Sequence, residues 1–260
     1  MIKSVLPVIV VAAAGVALWY GLSALVGTTL LPRPDQVLGA LGDSLFGWPL
    51  TSPRNLFYHA GVTAREALLG LAVALVLGGV IATLIVHVKV LDRSLMPWVI
   101  ASQTIPVLAI APMVVVVLGN LGLSGLTPKV AIAAYLAFFP IVVGLVKGMR
   151  SPETIQFELL HTYSASEAEI FGKLRLPASV AFLFPALRVS AALAVMGAIV
   201  AELPTGAQAG LGSRLLAGSY YGQTLMVWST LVAASLLSAV ILGAITALEA
   251  GLRWHRGGRL

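Results

Sequence analysis

Cysteine is absent from all 260 residues. That excludes a disulfide framework, a thiolate metal site and a cysteine nucleophile. Charge is almost as scarce: 10% of the residues are Asp, Glu, Lys or Arg, against about 25% in a soluble domain. His59, His87, His161 and His255 are dispersed, with no pair at ligand spacing beside a carboxylate, so a metal site is rejected. No Gly-x-x-x-x-Gly-Lys-Ser/Thr loop occurs, so the chain has no phosphate-binding loop of its own. No nucleophile elbow or ordered triad motif occurs either. The net charge of +6 comes without a basic patch interleaved with aromatics, which argues against nucleic acid. Cationic loops facing anionic lipid account for it.

What the chain has in plenty is apolar residues, at 59%, with a mean hydropathy of +0.99. These values describe an integral membrane protein. Uncharged runs are measured against the roughly 20 residues a helix needs to cross the hydrocarbon core. They predict spans near Val5–Val26, Ala67–Val86, Leu95–Leu118, Val130–Val146, Ala178–Ala201 and Leu225–Leu248. The first is too long in its apolar core for a signal peptide and lacks a small-residue cleavage site. The fifth reaches spanning length only if it starts near Ala178 and Arg188 snorkels to the interface. No run alternates as a barrel strand does, so the expected fold is all-α, a single membrane domain over residues 1–260.

Six spans place both termini on one side. If that side is the cytoplasm, Lys3, Lys89, Arg93, Lys147, Arg150, Lys173, Arg175, Arg253, Arg256 and Arg259 face inward. Arg33, Arg54, Arg65, Lys129 and Arg214 face outward. Ten cations against five favours cytoplasmic termini.

Between the fourth and fifth spans lies a charged stretch, residues 151–177. Ser151-Pro152-Glu153 reads as a helix start: a hydroxyl cap, then proline, then an acid at the positive end of the dipole. Ile155, Leu159 and Tyr163 fall on one face, with Glu158 and His161 off it. Ser164-Ala165-Ser166 interrupts. Ser166 with Glu169 forms a capping box for a second short helix, and Pro177 is expected to bend the chain into the fifth span.

This stretch resembles the cytoplasmic signature of binding-protein-dependent ABC importer permeases: Glu-Ala-Ala, three residues, Gly, nine residues, Ile, one residue, Leu-Pro. Glu167-Ala168-Glu169 looks like the start but is out of register with Pro177. Counting back from Pro177 puts Glu158 at the acidic position and Leu159 and Leu160 at the alanines. Ser164 then stands at the glycine, Leu174 at the isoleucine, and Leu176-Pro177 closes the motif. Further short matches follow the nitrate, taurine and aliphatic-sulfonate branch in order: residues 31–38, Ile105-Pro106, Phe138-Phe139-Pro140-Ile141, Ala186-Leu187-Arg188, Val200-Ala201-Glu202 and Gly210-Leu211-Gly212.

The resemblance implies a type I ABC importer permease fold in the bacterial inner membrane. It implies that the 151–177 stretch is a coupling helix docking on a cytoplasmic ATPase dimer, which binds the ATP and Mg that this chain does not. It also implies a second permease subunit, identical or paralogous, and a periplasmic solute-binding protein. Inside the third span Pro106 and Pro112 free backbone carbonyls. A packing kink and a pathway-lining break both fit them, with Gln103 and Thr104 supplying polar groups just before the break. Glu202, at the outer end of the fifth span, is either hydrated at the interface or turned to the vestibule. Residues 204–223 form a gate segment or an external loop. A secondary transporter is the alternative, but it needs intramembrane ionisable groups that the uncharged runs lack. A membrane enzyme needs a catalytic cluster, and none is legible.

Overall fold

The apolar runs fold as helices because in lipid each backbone N–H and C=O must find its partner within its own segment. The computed structural model describes residues 2–255, with side chains from Leu6 to Trp254. Lys3, Arg256 and Arg259 of the charge count lie outside the described side chains. Eleven α-helices are present among these residues. Five are long and apolar enough to span: Leu6–Val26, Leu56–His87, Leu126–Met149, Glu167–Glu202 and Thr224–Trp254. A further apolar pair, Lys89–Thr104 and Val107–Asn120, meets at 105° and forms either a broken sixth span or a re-entrant loop. The chain divides into two compact units, residues 1–62 with 208–236, and residues 63–207 with 237–260.

In the first unit, α1 (Ile2–Val26) is followed by a turn pinned back onto it. Ser23 Oγ donates to the Leu31 carbonyl at 2.7 Å and Trp19 Nε1 donates to the Pro32 carbonyl at 3.0 Å. Pro34 opens α2 (Pro34–Phe46), where its missing N–H removes no helix bond. Asn55 organises the next entry. Its side-chain amide donates to the carbonyls of Leu45 and Trp48, and its Oδ1 accepts from Phe57 N at 2.7 Å, capping α3 (Leu56–His87). Buried His59 is committed in the same way. Its Nε2 meets the Pro53 carbonyl at 2.7 Å and its Nδ1 accepts from Gly210 N at 3.0 Å. Residues 211–220 are helical, forming α10 (Leu211–Tyr220), rather than a plain loop. α11 (Thr224–His255) is the last described helix, and its residues up to Leu236 belong to this unit.

The second unit is built around α6 (Leu126–Met149). Its buried Ala133, Ala137, Ile141 and Leu145 meet Ala67, Ala74, Ala82 and Ile85 of α3 and Ala191, Ala194 and Ala198 of α9 (Leu176–Glu202). Small residues let these backbones approach closely, as association within lipid requires. A Cβ on Gly148 would stand 2.6 Å from Ser179 Cα, and one on Gly197 would stand 2.7 Å from Ala133 Cα. Neither position has space for alanine without moving a helix.

Several boundaries differ from the sequence reading, each for a physical reason. The second and fourth spans begin earlier than Ala67 and Val130, because Glu66 and Lys129 neutralise each other inside the fold. The third is bent rather than straight. The helix of the fifth does not begin near Ala178, and Pro177 does not interrupt it. α8 (Glu167–Ile170) continues through a π turn at Phe171–Arg175 into α9 without a break. The Leu176 N–H reaches back five residues to the Phe171 carbonyl, so the widened turn takes up the proline that would otherwise clash.

Candidate coupling and translocation sites

The end of α6 leads into α7 (Thr154–Thr162), the first helix of the charged stretch. Its cap is Glu153, not Ser151. The Glu153 backbone N donates to Gln156 Oε1 at 3.0 Å, while Ser151 Oγ donates to the Gly148 carbonyl and closes α6 instead. α7 ends in a Schellman turn. Ser164 N donates to the His161 carbonyl at 2.9 Å and Ala165 N to the Leu160 carbonyl at 3.0 Å. This turn needs a left-handed residue, and Ser164 supplies it at φ 55°, the one non-glycine with positive φ among the described residues. The signature places glycine at this position, so backbone geometry accounts for its spacing.

α7 presents two different faces. Ile155 (67% exposed), Leu159 (57%) and Tyr163 (77%) form an apolar row facing away from the chain, with Glu158 exposed beside it. Phe157 and Leu160 are half-buried on the opposite face. There the Arg175 guanidinium lies 4.8 Å from the centre of the Phe157 ring and donates from Nη1 to the Met149 carbonyl at 3.2 Å. Arg150 pairs with Asp92 of α4 (Lys89–Ala101) at 2.9 Å, and Phe171 meets the His87 ring edge-on at 5.0 Å. The charged stretch is thus fastened to α3 and α6, and the end of α6 to α4. Ser166 and Glu169 form the expected capping box. Leu174 is half-buried, while Leu176 and Pro177 are exposed in the first turn of α9.

The bent pair carries the other predicted residues. After α4, a single 3₁₀ turn at Ser102–Thr104 precedes Pro106, which caps α5 (Val107–Asn120). Gln103, Thr104 and Pro106 are exposed together at this break. Tyr135 of α6 donates to the Ser102 carbonyl at 2.5 Å, satisfying a backbone group in the broken turn.

Glu202 lies elsewhere and is fully buried. Thr63 Oγ1 donates to its Oε1 at 2.6 Å. Glu66 is buried as well and pairs through Oε1 with Lys129 Nζ at 2.7 Å. At the opposite end of the unit, Arg188 does not snorkel freely. It pairs with buried Glu249, which also takes Arg253. Sequence reasoning missed Glu66, Lys129 and Glu249. Partners 63 and 61 positions apart leave no local pattern; the one available signal was a carboxylate at the edge of an apolar run. On α10, burial pushes the half-buried Arg214 guanidinium below its ordinary value.

Residues 74–254 match the family of binding-protein-dependent transport system inner membrane components. The chain belongs to this family. It is 34% identical to the formylaminopyrimidine transport permease protein ThiX of Halalkalibacterium halodurans, over 85% of this chain and 83% of that one. It is 29% identical to the riboflavin transport system permease protein RibX of Chloroflexus aurantiacus, over 87% and 81%. It is 26% identical to the putative aliphatic sulfonates transport permease protein SsuC of Bacillus subtilis, over 84% and 75%. The chain is therefore the multi-pass membrane permease subunit of an ABC importer in the bacterial inner membrane. It is not the ATPase; its family works with a separate ATPase and a solute-binding protein.

Proposed function

We propose that α7 is the coupling helix of this permease and that its Ile155–Leu159–Tyr163 row seats in a groove of the cytoplasmic ATPase. The observation that carries this reading is the pairing of opposite faces. One face leaves three large apolar side chains to water, and the other is fastened through Phe157 and Arg175 to α6. A rigid knob with an apolar outer face is what a push from a partner requires. Glu158, exposed beside the row, meets a donor on the ATPase, a contact worth about 1.5–3 kcal/mol. Leu160, Ser164, Leu174, Leu176 and Pro177 shape and anchor the knob. Both termini and α7 face the cytoplasm, which is the side the charge count favours.

The chain acts as one transmembrane domain in a pair, with a copy of itself or a paralogue, above an ATPase dimer and below a periplasmic solute-binding protein. Gln103, Thr104 and Pro106 line the solute path at the break, and Glu202 shapes its outer end from within the helix bundle. The cargo belongs to the class its relatives' names describe: a small heteroaromatic or anionic organic solute.

The test compares two glutamates in the complete importer. Glu158→Ala is expected to leave membrane insertion intact while lowering uptake and binding-protein-stimulated ATP hydrolysis about tenfold, the equivalent of one lost charge-assisted hydrogen bond. Glu167→Ala, in the next helix, is expected to change either rate less than twofold. The reverse order would move the coupling contact to α8.

A further inference from the structure

Glu249 of α11 is buried, with 5% of its side chain exposed, and it holds two cations at once. Arg188 of α9 donates from Nη2 to its Oε2. Arg253, one turn further along α11, donates from Nη2 to its Oε1. Both carboxylate oxygens are thereby occupied, and the cluster carries one positive charge in excess. No second acid on these helices offsets it: Glu249 is the one carboxylate in residues 176–201 and 237–255. The two guanidiniums share a buried anchor yet are not enclosed, with side chains 37% and 54% exposed. Each spends one nitrogen on Glu249 and keeps its Nη1 donor without an acceptor among the described residues.

Three observations put these donors at the level of lipid headgroups. Along α11, Glu249 lies about 37 Å from Thr224, more than the roughly 30 Å of hydrocarbon that a span crosses. The residues beside the cluster are apolar and exposed: Val189 next to Arg188, and Leu248 and Leu252 next to Glu249 and Arg253. Trp254 follows Arg253 and is 86% exposed, and an indole at the end of a span marks the membrane–water interface. Lipid is the medium such a surround faces, so the anion within reach of the two guanidiniums is a phospholipid phosphate.

We infer that Arg188 and Arg253, held in place by Glu249, seat the phosphate of an anionic phospholipid at the interface that the far end of α11 reaches. A phosphodiester accepts from both guanidiniums and cancels the excess charge. The headgroup is anionic rather than zwitterionic. The ammonium of a zwitterionic headgroup needs a carboxylate beside it, and Glu249 has neither oxygen to spare. All three side chains belong to one compact unit, so the bound lipid braces α9 against α11 within it.

The test uses the permease purified with its ATPase in a neutral detergent, with phosphatidylglycerol as the probe. Phosphatidylglycerol is expected to raise the thermal midpoint of the complex by about 4 °C. Phosphatidylcholine and inorganic phosphate are each expected to shift it by less than about 1 °C. Mass spectrometry of the intact complex is expected to find phosphatidylglycerol retained on the permease. Arg253→Gln and Arg188→Gln each leave Glu249 one arginine, and each is expected to abolish the shift and the retention. Arg93→Gln, which removes an exposed cation of α4, is expected to change neither. Should Arg188→Gln fail to fold, Arg253→Gln, at the more exposed position, decides the matter alone. An equal shift with phosphatidylcholine would overturn the inference, and an equal shift with inorganic phosphate would make this a soluble-anion site instead. A full lipid response in Arg253→Gln, with loss of ATPase from the complex, would assign the arginines to the partner protein. Loss of the response in Arg93→Gln as well would reduce the effect to general interfacial charge.

Discussion

Ser164 carries backbone strain that the fold would shed with a smaller residue. Its φ of 55° closes the Schellman turn at the end of α7. A residue with a Cβ pays about 1 kcal/mol to sit there, and glycine does not. Ser164→Gly is therefore expected to raise the thermal midpoint of the purified permease by about 2–4 °C. Ser164→Val, β-branched, is expected to lower it. Glycine and valine melting alike would mean that the turn is not held in this conformation in the membrane.

At the scale of elements, the working contact is the one between α7 and the span it serves. The Arg175 guanidinium bridges the Phe157 ring and the Met149 carbonyl, and so joins α7 to the end of α6. Arg175→Leu keeps an apolar stem but cuts the bridge. Uptake is expected to fall about fivefold, a loss of about 1 kcal/mol of coupling, while co-purification of the ATPase is retained because the apolar row of α7 is untouched. Loss of ATPase binding in this variant would show that Arg175 holds α7 folded rather than linking it to α6. The elements themselves were largely legible in the sequence. Uncharged runs located the spans, and the Ser166–Glu169 spacing located a cap that the fold contains. The boundaries were not legible wherever a charge was neutralised at long range. Glu66 and Lys129 each look like the end of a span until they are seen to pair. Arg188 looks solvated until Glu249 is placed beside it. Pro177 looks like a bend ahead of the fifth span, and only the π turn before it shows how the helix continues through it. Ile105-Pro106 marked the break correctly as a place, but the 105° angle depends on neighbours such as Tyr135 that no local pattern names.

For the whole molecule, membership of the importer family establishes what kind of machine this is, and α7 is where we place its connection to the motor. The absence of cysteine makes that placement directly measurable. Single cysteines at Ile155, Leu159, Tyr163, Phe157 and Leu160 of the otherwise cysteine-free permease, co-expressed with its ATPase, can be probed with a short thiol-to-amine cross-linker in native membranes. The account predicts a helical pattern: strong cross-links to the ATPase from 155, 159 and 163, and weak ones from 157 and 160. Cross-linking that is equal around the helix, or confined to 157 and 160, would contradict the assignment of α7 as the coupling element.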